Sequence, residues 1–101
     1  MDRRMMNQLQ QMQNKLLKAQ EELGTLTVEG TAGGGAVRVT MNGHRELRDI
    51  TISPEAVDPD DVETLQEMVA AAFNDASKKA QDLSESKLGG LTGGMNIPGL
   101  F

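Results

Sequence analysis

Residues 33–47 read GGGAVRVTMNGHREL, and the architecture turns on how that stretch is understood. From Val37 to Met41 apolar and polar residues alternate, which places Val37, Val39 and Met41 on one face of a strand. Asn42-Gly43 follows at once, a two-residue turn of the kind that takes positive φ, and predicts a hairpin into a further strand at about Glu46–Ile52. In that strand Ile50 and Ile52 share a face while Leu47 points to the other, unless a bulge intervenes near Arg48-Asp49. The alternative is a sheet with apolar groups on both faces. Upstream, Leu26–Thr31 alternates weakly and reads as the first strand of three. Gly33 to Gly35 therefore lie between two strands. A phosphate-binding loop needs a strand leading into a helix N-terminus, with Lys-Ser/Thr after the glycines in the P-loop case. Neither feature is present, so these glycines turn the chain.

Helices flank the strands. Over about Arg3–Gly24, Met5, Leu9, Met12, Leu16, Ala19 and Leu23 recur at the alternating four- and three-residue spacing of a helix–helix seam. That stripe fits a helix lying on its own sheet or a seam meeting another helix, in this chain or in a second copy. A second helix is expected to open at Asp58-Pro59-Asp60-Asp61, with Asp58 as cap and Pro59 at the first helical position. Val62, Leu65, Val69, Ala72, Ala76, Ala80 and Leu83 form its apolar face, with Met68 and Phe73 beside it. It extends to about Leu88 before Gly89-Gly90, a length of about 45 Å at 1.5 Å per residue. The reading is one α+β domain over residues 1–88, in the order α-β-β-β-α. A glycine-rich tail at 89–101 is expected to be mobile, with Ile97, Leu100 and Phe101 as its docking candidates.

Composition removes most chemistry. The chain has 101 residues, no cysteine and one histidine, which excludes disulfides and thiolate metal sites. His44 sits beside a turn, and Asp58, Asp60 and Asp61 are better explained by capping than by a cation site, since the EF-hand pattern is missing. No serine has a nucleophile-elbow context. No cofactor, small-molecule substrate or catalytic constellation is implied. No apolar run nears the roughly 20 residues that span a bilayer, so a soluble, intracellular protein without a membrane partner is expected. With no Trp or Tyr, base stacking is not available either. Any nucleic acid held here should be duplex, gripped by its backbone.

The net charge of −5 speaks against such a ligand until its distribution is read. Residues 1–53 carry +1 and residues 54–101 carry −6. Within the first helix Arg4, Gln8, Gln11, Lys15 and Lys18 repeat the spacing of the apolar seam and fall in a narrow sector beside it. No acid interrupts them until Glu22. Such a face can hydrogen-bond and neutralise phosphates; the alternative is an ordinary solvated face.

The order of segments resembles the YbaB/EbfC family of bacterial nucleoid-associated proteins. The resemblance runs through QMQNKLLKAQEEL (11–23), GGGAVRVTMNGHREL (33–47), ITISPE (50–55), VAAAFNDASKKA (69–80) and the LTGG and PG of residues 91–99. It implies a three-stranded antiparallel sheet between long helices, a tweezer-like homodimer, and duplex DNA bound in the nucleoid and cytoplasm, with roles in nucleoid organisation, DNA protection and gene regulation rather than catalysis. The family's DNA-contacting positions map to Arg3, Arg4, Lys15 and Lys18 in the first helix and to Lys78, Lys79 and Lys87 in the last. The competing reading is a protein-interaction or chaperone-like dimer that uses the first-helix seam.

Overall fold

The computed structural model describes residues 2–91, so the expected tail lies outside the described residues from Thr92 onward. Helix α1 (Arg3–Thr25) leads into strands β1 (Thr27–Ala32), β2 (Val37–Asn42) and β3 (Leu47–Ile52), and helix α2 (Val62–Leu91) closes the order. The strands form one antiparallel sheet in the order β1-β2-β3. The shape is long: its extents are 70 × 23 × 16 Å, and its radius of gyration of 18.8 Å exceeds the roughly 13 Å of a compact domain this size.

The core lies where α2 crosses the sheet. Val37, Val39 and Met41 pack against Ala72, Ala76 and Ala80, all essentially sealed from water. The alanines let the helix come close, and closest at Gly30. A Cβ there would lie 2.2 Å from the Ala72 carbonyl oxygen and 2.3 Å from the Ala76 nitrogen. Strand register carries the apolar face onward: Val39 opposes Ile50, Val37 opposes Ile52, and Met41 opposes Leu47. Arg48 is the extra residue, with Thr40 paired to Asp49. The bulge foreseen near Arg48-Asp49 is therefore present, and it returns Leu47 to the face of Ile50 and Ile52.

Four expectations need correction. Asn42-Gly43 is not a two-residue turn, because Gly43 does not take positive φ; the left-handed residue is Arg45, at φ 63°. The Arg45 N–H donates to the Asn42 carbonyl and the Asn42 N–H to the Glu46 carbonyl, which makes a three-residue loop closed by a left-handed residue. Gly43 serves for space instead, since a Cβ would lie 2.7 Å from the Leu23 side chain. Its N–H donates to the carbonyls of Leu23 and Leu26, at 2.8 and 3.1 Å. Buried Asn42 completes the joint, with Nδ2 donating to the Gly24 carbonyl and Glu46, and Oδ1 accepting from the His44 and Glu46 amides. The hairpin thus clamps the end of α1.

The second correction is where α2 begins. Asp58 accepts the Asp60 N–H in a local turn, and Asp61 caps the helix through the Thr64 amide and hydroxyl. The third is where α2 ends. Gly89 and Gly90 lie within its last turn, which Leu88 and Leu91 anchor by packing against α1. Glycine opposes helix by about 1 kcal/mol per residue, and tertiary packing here outweighs it. The fourth is Phe73, placed on a buried face by the sequence but 43% exposed. The triple glycine does turn the chain, as a short 3-10 turn with φ of 65°, 68° and 94°. Three successive left-handed residues suit glycine alone.

Candidate nucleic-acid interface

Among the described residues, helix α1 is anchored at one end only. Its first turn is capped by Asp2, whose carboxylate accepts the Met5 N–H at 2.8 Å. At the other end Ala19 and Leu23 are buried with Leu88, and Leu16, Leu83 and Leu91 complete that cluster. Fully burying a leucine such as Leu23 stabilises by about 1.5–3 kcal/mol, enough to dock the helix base. The remaining seam residues Met5, Leu9 and Met12 are exposed, Leu9 by 53%. The seam therefore meets a helix of its own chain over its lower half and meets nothing among the described residues over its upper half. The result is a projecting arm.

Along that arm the polar face is free. Arg4, Gln8, Gln11, Lys15 and Lys18 are all exposed, and among the described residues Arg3, Arg4, Lys15 and Lys18 form no ion pair. Arg3 lies on the adjoining sector with Asn7, Gln10 and Gln13. Many of the acids lie elsewhere, although Asp2 caps α1 and Glu21 and Glu22 belong to its last turns. Asp58, Asp60, Asp61, Glu63 and Glu67 cluster around the start of α2, and Val62 to Lys87 alone spans about 37 Å of helix.

The lysines of α2 divide. Lys87 reaches α1 and pairs with Glu22 at 2.6 Å, and with Lys15, Lys18, Ala19 and Leu91 it lines a notch of about 260 Å³ between the two helices. The Glu22 carboxyl is held below its usual value by the hydrogen bond and charge of Lys87, with a smaller contribution from Lys18. Lys78 lies nine residues earlier, about half a turn round the helix, and faces solvent away from the notch. Lys79 bonds the Glu29 carbonyl at 2.8 Å and Asp75 at 3.3 Å, at the edge of β1. The fold thus brings Lys15, Lys18 and Lys87 together and leaves Lys78 and Lys79 apart. The sequence reading missed Glu22 as a member of this group; its signal was its place as the first acid to enter the basic stripe.

What the surface offers is contact. Among the described residues no group of three or more His, Cys, Asp or Glu is placed to hold a metal ion, and no helix is long and apolar enough to cross a membrane. A helical arm, half-free among the described residues, with an acid-free face of cations and amides is a surface for an extended anionic ligand. The chain belongs to the YbaB/EbfC DNA-binding family, whose model matches residues 1–95. It is 60% identical over 99 residues to a nucleoid-associated protein of Chloroflexus aurantiacus, covering 98% of this chain and 97% of that one. A nucleoid-associated protein of Pelotomaculum thermopropionicum is 58% identical over 98 residues, covering 97% and 93%. Among solved structures, the uncharacterized protein HP0035 from Helicobacter pylori superposes with a TM-score of 0.72 at 26% identity, covering 85% of this chain and 91% of that one.

Proposed function

We propose that this chain is a non-enzymatic nucleoid-associated protein of the bacterial cytoplasm that holds duplex DNA as a homodimer, through backbone phosphates and with little sequence preference. The observation that carries this reading is the acid-free face from Arg4 to Lys18 on an arm that stands clear of the core. Phosphate contacts fix a protein on a duplex without reading bases. The two stripes of a dimer, with Lys87 at the base of each, would form a two-fold cationic array. With two or three phosphates neutralised per protomer, log K should fall against log salt with a slope of about −4 to −5. Nucleoid organisation, DNA protection and effects on gene expression follow as consequences of coating or joining duplexes.

The second copy is proposed to sit against β3. Support comes from the state of the two sheet edges. On β1 the chain's own α2 closes the edge: the Thr31 N–H donates to Asp75 at 3.1 Å and the Glu29 carbonyl accepts from Lys79. On β3, among the described residues, no group bonds to the outer edge, and Leu47, Ile50 and Ile52 are exposed. Phe73, 43% exposed, lies about 160° round α2 from Asp75, on the flank of the helix away from the closed β1 edge. A small chain that leaves this much apolar surface open gains by covering it with a copy of itself.

Fluorescence anisotropy of a labelled duplex against salt tests the DNA reading. Replacing Lys15 and Lys18 with Glu should abolish binding and leave the dimer intact by light scattering. Affinity that does not change between about 50 and 200 mM salt would remove the reading. A second reading, a module that holds another protein, draws on the open seam of Met5, Leu9 and Met12. It would gain if the purified protein carried a polypeptide partner and showed no affinity for duplex at low salt.

A further inference from the structure

We infer that the notch between α1 and α2 is a site for one backbone phosphodiester of the duplex, and that in the free protein the Glu22 carboxylate occupies it as a tethered anion. The inference rests on the DNA-binding reading and deepens it.

The argument starts from the stripe. Arg4, Gln8, Gln11, Lys15 and Lys18 recur every three or four residues, and the next position in that series is Glu22. An acid there, alone, would repel the ligand the rest of the face attracts. It is not alone: Lys87 from α2 places its Nζ 2.6 Å from Glu22 Oε2. Lys15 and Lys18 line the same notch, so lysines from two helices border it, with Lys87 alone in contact with the carboxylate. A carboxylate oxygen is the nearest protein counterpart of a phosphate oxygen, both accepting charge-assisted hydrogen bonds from ammonium groups. Both partners of the pair remain partly open, with side-chain exposures of 28% for Lys87 and 43% for Glu22. Such exposed pairs are worth little in stability, so exchange of Glu22 for a phosphate is not held back by a deep well.

Two consequences separate this arrangement from an ordinary structural ion pair. Lys87 adds a phosphate contact only when Glu22 releases it. Glu22 therefore limits the affinity of the whole face.

Glu22→Gln keeps the shape of the side chain and removes its charge. In anisotropy titrations of the full chain with a labelled duplex, this variant should bind about five- to tenfold more tightly at about 0.1 M salt. Its salt slope should be steeper by about 0.9 for each protomer engaged, the signature of one further phosphate neutralised. Lys87→Gln should bind more weakly than wild type, because it leaves Glu22 unpaired beside the ligand, but by a smaller factor than Glu22→Gln gains, since Lys87 is held by Glu22 in the wild type. The double variant Glu22→Gln/Lys87→Gln should return close to wild type, and circular dichroism checks that all three keep their helix content. Weaker binding by Glu22→Gln, with a shallower slope, would make Glu22 a residue that positions Lys87, and would overturn the inference. So would a gain of equal size with and without Lys87, which would mean general repulsion. If wild type fails to bind duplex at any salt, the DNA reading itself falls; if wild type binds and Glu22→Gln matches it, only this inference does.

Discussion

The two edge strands of the sheet are each joined to β2 by an antiparallel hairpin and end in opposite states. On β1, α2 lies so near that Gly30 admits no side chain, and Asp75 and Lys79 reach over to bond a backbone amide and a backbone carbonyl. On β3 the apolar face continues past the reach of the helix, and Ile50 is 40% exposed although it stands opposite fully buried Val39. An open edge beside apolar side chains is a template for pairing, and soluble proteins ordinarily blunt it with charge, bulge or cover. Here the β1 edge is covered, and among the described residues the β3 edge has its bulge and the charges of Arg48 and Asp49 but no cover. One helix cannot shield three strands, so the chain closes one side itself and leaves the other open, the surface proposed above for a second copy.

The contrast breaks most sharply at Gly30. Gly30→Ala places a methyl carbon against backbone atoms of α2 that cannot move aside singly. It should destabilise the fold by about 3 kcal/mol or more in urea melts. The same substitution at Gly34 meets no atom within 4 Å but a φ of 68°, so it should lose only about 1–2 kcal/mol from the left-handed backbone. Equal effects at the two sites would mean that α2 is not seated tightly on β1. On the other edge, Ile50→Asp should leave the helical circular dichroism signal in place while weakening the dimer at least tenfold by analytical ultracentrifugation, the scale of a lost apolar anchor. A dimer unaffected by Ile50→Asp would move the partner to another surface.

These edges also show what sequence can and cannot carry. The alternation of Val37, Val39 and Met41 was legible because strand parity is local. The parity conflict at Leu47 narrowed the choice to a bulge near Arg48-Asp49 or a sheet apolar on both faces, and the register decides for the bulge. The turn was misread because Asn42-Gly43 has two uses that look alike in sequence: supplying positive φ, or clearing space for a distant side chain. Only the packing of Leu23 chooses between them. The start of α2 was misplaced because Asp58 and Asp61 are equivalent candidates until one carboxylate is taken by the Asp60 amide. For the candidate interface, the α1 stripe was visible because about 100° per residue fixes one helix face. The grouping of Lys87 with Lys15 and Lys18 depends on how two helices cross. No periodicity encodes that crossing, nor the separation of Lys79, which the edge of β1 draws away.

The smallest effect concerns the polar closure of β1. The Asp75 carboxyl is held below its ordinary value of 3.8, first by the Thr31 N–H and then by Lys79. A carboxyl whose folded pKa lies below its unfolded one contributes stability that is whole above the unfolded value and lost as pH falls through the folded one. Asp75→Asn removes the charge at every pH. The variant should therefore be modestly less stable than wild type at about pH 7, and the two should converge as pH drops below about 3.8. Urea melts across that range measure the gap directly. A gap that stayed constant into acid would mean that the Asp75 charge contributes nothing and that the substitution acts only through the neutral hydrogen bonding and packing of that side chain. A gap that narrowed would show that α2 holds the β1 edge by two means, one of them titratable, while β3 has neither.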